Sequence, residues 1–188
     1  MKILLLDNYD SFTFNLVHLL ESFDGIDVHV HRNNSFNPKD AIEFDRIVLS
    51  PGPGLPGEAG ILKELISGMA GKKSILGVCL GMQAIAEVFG GTLFNLDKVQ
   101  HGVASETIVT DRKEKLFRNL PGSFKTGRYH SWMVDRKTLP ECFDVTSIDA
   151  SQNIMSLRHK EYDLCGVQFH PESVLTEYGR EMIGNWLK

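Results

Sequence analysis

Gly77-Val78-Cys79-Leu80-Gly81 ends a short aliphatic run beginning at Ser74 and opens a helical run from Met82 to Phe89. Small residues two places either side of a central cysteine let the backbone make a tight strand-to-helix turn, the cysteine version of a GxSxG elbow. Such a turn projects the central side chain from the carboxyl edge of a sheet. It also places Cys79 at a helix N-terminus, where the positive end of the dipole favours a thiolate. A lone cysteine is more often a packed interior residue. Glycines on both sides, in strand-turn-helix context, favour a nucleophile.

The elbow requires a sheet whose strands are followed by helices, and the pattern upstream supplies one. Lys2 to Asp7, Ile26 to His31, Asp45 to Ser50 and Ser74 to Val78 are short runs rich in Ile, Leu and Val and read as strands. Phe14, Val17, Leu20 and Phe23 recur at helical spacing between the first two, as do Ile61, Leu65 and Met69 between the third and fourth. Alternation of this kind predicts a parallel sheet with right-handed crossovers, an α/β fold. After Gly90-Gly91 the segments shorten: Glu106 to Thr110, Asp144 to Ile148 and Ile154 to Arg158 read as an antiparallel extension. Leu164 to Phe169 is strand-like again, and Val174 to Leu187 reads as a closing amphipathic helix with Met182, Ile183 and Trp186 on its apolar side. No repeat or linker divides the 188 residues, so one domain, 1–188, is expected.

Composition narrows the function classes. Twenty Lys and Arg against 24 Asp and Glu give a formal charge of −4 and no basic block to follow a phosphate backbone, so nucleic acid is not an expected partner. No apolar run is long enough for a bilayer, and Asp7 interrupts the opening run too early for a secretory signal, so a cytoplasmic location is expected. Cys79, Cys142 and Cys165 lack the spacing of a zinc or redox site, which predicts free thiols and no metal. His29 and His31 alternate with Val28 and Val30 and are assigned to the wet face of an edge-side strand. Cys165 shares a strand face with Val167 and Phe169 and is assigned to the core.

A thiol nucleophile needs a base and a group to orient it. Val167-Gln168-Phe169-His170-Pro171-Glu172 offers both at the end of a late strand. His170 would take the thiol proton and return it to a leaving group, with Glu172 holding the imidazole in one tautomer. Ser50-Pro51-Gly52-Pro53-Gly54 follows another strand. Alternating Pro and Gly make a rigid loop bare of side chains, and N–H groups of Gly52 and Leu80 would hold an oxyanion, each donor being worth about 3 kcal/mol. Read alone, His-Pro-Glu is a strand end with an acid and PGPG a tight loop; together with the elbow they form a set with defined roles. Tyr129-His130-Ser131-Trp132 either lines a pocket or caps a turn.

These residues carry a family resemblance. The chain resembles class I, triad-type glutamine amidotransferases, and within them the subunits of anthranilate synthase and aminodeoxychorismate synthase. Asp7-Asn8-Tyr9-Asp10-Ser11-Phe12-Thr13-Phe14-Asn15-Leu16 is similar to that subfamily's opening signature, and SPGPG, GVCLG, RYHS and VQFHPES follow in the family's order. The resemblance implies a flavodoxin-like open, mostly parallel sheet with helices on both faces plus a small antiparallel sheet. It implies Cys79, His170 and Glu172 as a triad, with L-glutamine held by Gly52, Pro53, Gly54, Gln83, Ser131 and Trp132. It also implies a chorismate-binding synthase as partner, with Mg²⁺ expected in that partner and no cofactor in this chain. Met82 stands where relatives usually carry His, Trp132 replaces a common Leu, and His101-Gly102-Val103 lacks a Lys often found after HG. Two other readings are a cysteine peptidase or γ-glutamyl hydrolase, against which the NYDSFTFNL opening argues, and a non-catalytic binding subunit, against which the intact Cys79, His170 and Glu172 argue.

Overall fold

The computed structural model describes residues 1–97 and 99–188. Strands β1 (Lys2–Asp7), β2 (Asp27–Arg32), β3 (Arg46–Leu49) and β4 (Ser74–Val78) are joined through helices α1 (Thr13–Glu21) and α2 (Leu62–Met69), and α3 (Leu80–Val88) follows β4. Then come β5 (Leu93–Asn95), β6 (Val103–Val109), β7 (Ser123–Arg128), β8 (Trp132–Val134), β9 (Phe143–Ile148), β10 (Ile154–His159), β11 (Leu164–Val167) and α4 (Gly179–Leu187). Among the described residues these strands form a nine-stranded sheet, in the order β2-β1-β3-β4-β11-β10-β9-β6-β7, and a two-stranded sheet of β5 and β8.

The run from β2 to β11 is parallel. From β11 onward every neighbouring pair is antiparallel. The expected antiparallel extension thus continues the main sheet, and only β5 with β8 stands apart. Both faces of the parallel half are covered, which explains its nearly unbroken apolar strands. Leu4 and Leu6 join the core formed with α2 and α3, whereas Ile3 and Leu5 join the core formed with α1 and α4. Side chains alternate across the sheet, so one strand feeds both layers. No helix among the described residues is long and apolar enough to cross a membrane.

Several expectations shift. The buried stripe of α1 is Thr13, Leu16, Val17 and Leu20, while Phe14 is 60% exposed. The i, i+3, i+4, i+7 set turns that helix so that Phe14 faces outward. The expected last helix begins five residues late, at Gly179. Between Val174 and Tyr178, side chains capture the backbone: Ser173 Oγ accepts from the Leu175 N–H, and Thr176 Oγ1 donates to the His170 carbonyl. Such local bonds compete with a helix. Tyr178 then takes a left-handed φ of 60°, and a Cβ on Gly179 would stand 1.9 Å from the Pro171 carbonyl oxygen, so the helix starts where a glycine permits that approach. His29 and His31 do lie on edge strand β2, but their face is half-covered: His31 packs on Phe36 at 4.7 Å and His29 on Phe44 at 5.4 Å between ring centres.

Candidate active site

The carboxyl ends of the parallel strands bring the predicted residues together. Cys79 follows β4, caps the start of α3, and holds a φ of 52°, a region costly for a side chain with a Cβ. Its N–H donates to the Val167 carbonyl at 2.8 Å, and its own carbonyl accepts the N–H of Gln83 at 3.1 Å. The flanking glycines allow the turn by close packing. A Cβ on Gly77 would lie 2.5 Å from the Gly81 carbonyl carbon, and one on Gly81 would lie 2.6 Å from the Leu49 carbonyl oxygen.

His170 lies just beyond β11, its N–H bonded to the Gly127 carbonyl at 3.1 Å. Its Nδ1 meets Glu172 Oε1 at 2.8 Å, and both side chains are buried. Rings of Phe12 and Tyr129 flank the imidazole at 5.4 and 4.9 Å between centres, and the Tyr129 hydroxyl pairs with Ser173 Oγ at 3.0 Å. Nε2 is buried without a hydrogen bond of ordinary geometry, yet the Cys79 sulfur is near enough to act on the ring. Burial works against charging His170. Cys79 and Glu172 outweigh it, and the pKa is raised to about 10. The rise depends on a charged Cys79 sulfur as a neighbour, so it describes His170 holding the proton of a thiolate–imidazolium pair, with Glu172 fixing Nδ1.

Gly52, Pro53, Gly54, Gln83, Ser131 and Trp132 line one cavity of about 150 Å³ together with Cys79, Tyr129 and His130. The Tyr129-to-Trp132 cluster is thus pocket wall. His130 is buried there, and burial, then the charges of Arg128 and His170, lower its pKa to about 4, leaving it neutral. Leu80 opens α3 beside the PGPG loop: a Cβ on Gly52 would come within 2.6 Å of Leu80 Cδ2 and of Asn8 Cβ. A larger cavity of about 630 Å³ lies at the amino ends of the strands, near Met1, Phe23 and Ile26, and contains none of the candidate residues.

Two residues escaped the sequence reading of the site. Asn8 holds the PGPG loop, its backbone N–H donating to Ser50 Oγ and its Nδ2 to the Ser50 carbonyl, both at 2.9 Å. Gln168 is fully buried with Nε2 3.5 Å from the Cys79 sulfur. Their places inside quoted motifs were the available signal. Cys165 sits in the core as expected, and burial pushes its thiol well above the usual range. Among the described residues no cluster of His, Cys, Asp and Glu is arranged to hold a metal ion.

The family model for glutamine amidotransferase class-I matches residues 4–188, and the chain belongs to that family. The chain is 47% identical to aminodeoxychorismate synthase component 2 of Escherichia coli (strain K12), covering 98% of each protein. It is 45% identical to anthranilate synthase component 2 of Pseudomonas putida, over 100% of this chain and 97% of that one. A Bacillus subtilis (strain 168) relative named aminodeoxychorismate/anthranilate synthase component 2 is 45% identical, over 99% and 95%. Among solved structures, a glutamine amidotransferase from Thermotoga maritima shares the fold with a TM-score of 0.76 at 15% identity, over 100% of this chain and 80% of that one.

Proposed function

We propose that the chain hydrolyses L-glutamine to glutamate and supplies the ammonia to a chorismate-binding synthase that makes anthranilate or 4-amino-4-deoxychorismate. The observation carrying this reading is a buried His170–Glu172 pair beside a cysteine whose elbow opens onto a small cavity. Cys79 passes its thiol proton to His170 as the sulfur attacks the side-chain amide carbon, and the N–H groups of Gly52 and Leu80 take up the charge that develops on oxygen. The C–N bond then breaks as His170 gives its proton to the departing nitrogen. That step releases ammonia and leaves a glutamyl thioester. Water cleaves the thioester, with His170 accepting its proton and the sulfur leaving, to give glutamate.

Gly52, Pro53, Gly54, Gln83, Ser131 and Trp132 hold the amino acid in this scheme, which is supported by their common cavity. The partner is inferred from the names of relatives, which are component 2 of such synthases. Mg²⁺ is assigned to the partner, and no cofactor to this chain. Free ammonia is protonated at neutral pH and then not nucleophilic, so transfer is expected without passage through bulk water. In the complex, Cys79→Ser should abolish synthesis from glutamine and leave synthesis from added ammonium salt intact. Loss of both would count against this division of labour, and retention of both would remove Cys79 from the mechanism.

A further inference from the structure

Two buried amides connect the nucleophile to the opposite wall of the cavity. Gln83 lies one turn into α3 and its Nε2 is 2.8 Å from the Trp132 carbonyl oxygen. A carbonyl only accepts, so the nitrogen of that amide must face it, and the orientation of Gln83 is fixed. The same Nε2 is 3.3 Å from Gln168 Oε1. Gln168 therefore presents its oxygen to Gln83 and its N–H₂ to the other side, where Cys79 sulfur stands 3.5 Å away. The Gln168 backbone is held by a 2.8 Å bond from its N–H to the Met155 carbonyl. An amide in a core position costs more than an aliphatic side chain unless its polar atoms are used, and here they are directed at the sulfur and at Gln83.

A neutral thiol is a weak acceptor, whereas a thiolate is a strong one, so an N–H aimed at sulfur stabilises the attacking form over the resting one. It also occupies one lone pair and leaves the others to the cavity and to His170.

We propose that Gln168 is a further catalytic residue, donating a hydrogen bond to the Cys79 sulfur, and that Gln83 couples this contact to the Trp132 wall of the substrate cavity. The proposal rests on Cys79 being the nucleophile. Gln168→Glu keeps size and shape but replaces the donor with an anionic acceptor; Gln168→Met removes the donor without a charge. Alkylation of Cys79 by iodoacetamide at pH 7, located by mass spectrometry, should slow about tenfold in Gln168→Met, the scale of one lost hydrogen bond to a charged group, and further in Gln168→Glu. In the complex, kcat for glutamine should fall by a similar factor with KM changed less than about twofold, while ammonium-dependent synthesis stays level. In the unaltered chain, the side-chain amide proton resonances of Gln168 should move when Cys79 is alkylated, a readout that needs no variant to fold. Unchanged alkylation and kcat in either folded variant, or resonances that do not move, would overturn the proposal. Glutamine hydrolysis surviving in Cys79→Ala would instead overturn the nucleophile assignment beneath it.

Discussion

The two halves of the main sheet are built on different chemistry. In the parallel half, Ile3, Leu4, Leu5, Leu6, Ile47, Val48, Leu49 and Ile75 are wholly buried, and apolar area removed from water supplies the cohesion. In the antiparallel half, hydroxyls fill comparable positions: Thr107 pairs with Thr126 at 2.8 Å, and Thr146 and Ser147 both meet Ser156 at 2.6 Å. Ion pairs add to them, Arg128 with Asp149 at 2.9 Å and Arg158 with Asp111 and Asp144 at 2.8 Å. The greasy half carries the elbow and the strained cysteine. The polar half supplies Gly127, which anchors His170, and leads into the Tyr129 and His130 wall. A rigid apolar frame can hold a costly backbone angle, while a hydrogen-bonded one sets polar side chains at fixed positions.

The sharpest way to break this contrast is Arg128→Met. Arg128 and Asp149 are both buried, so removing one partner strands the other charge and should cost about 3–5 kcal/mol in denaturant unfolding. Combined with Asp149→Asn, which removes the charge but keeps an acceptor for the Ser151 and Asn153 N–H groups, Arg128→Met should recover much of that loss; if the double variant is as weak as the single, the stranded charge is not the reason for the cost. In the parallel half, Leu5→Ala should cost about 3 kcal/mol through a cavity beneath α1 and α4, and a loss below about 1 kcal/mol would show that this half does not depend on tight packing.

Acid titration separates the halves more gently. His130 charges near pH 6.5 when unfolded and only near pH 4 when folded, so the unfolded chain binds more protons between those values. Its contribution is in place above pH 6.5 and withdrawn as pH falls toward 4, by roughly 3 kcal/mol at the end of the window. His170 runs the other way, its contribution complete below pH 6.5 and lost as pH rises through about 10. Arg128→Met, which removes a charge disfavouring protonated His130, should flatten the acid limb. An unchanged slope would exclude Arg128 as a cause.

What could be read beforehand follows the same division. Strands β1, β3 and β4 announce themselves because both faces are buried, and the elbow because its glycines adjoin its cysteine in sequence. His170 and Glu172 were legible because a single residue separates them and that residue, Pro171, limits the backbone between. Gln168 and Asn8 were not, since their partners lie 89 and 42 residues away and only the folded sheet sets those distances. Phe14 was misplaced because two apolar stripes fit α1, and packing chose between them. The delayed start of α4 depends on side chains of Ser173 and Thr176 that no hydrophobic period reports.

Strand β11 has a wider responsibility than its four residues suggest. Its last residue, Val167, lies opposite Val78 in the sheet and supplies the carbonyl that pins residue 79, while the chain running on from it delivers residues 168 and 170. A single strand register therefore aligns nucleophile, sulfur contact and proton donor at once. Sliding β11 by one residue would swap its two faces and misplace all of them together. The site behaves as an interlock, either fully assembled or absent, and because β11 lies buried between β4 and β10 it comes apart only when the sheet does.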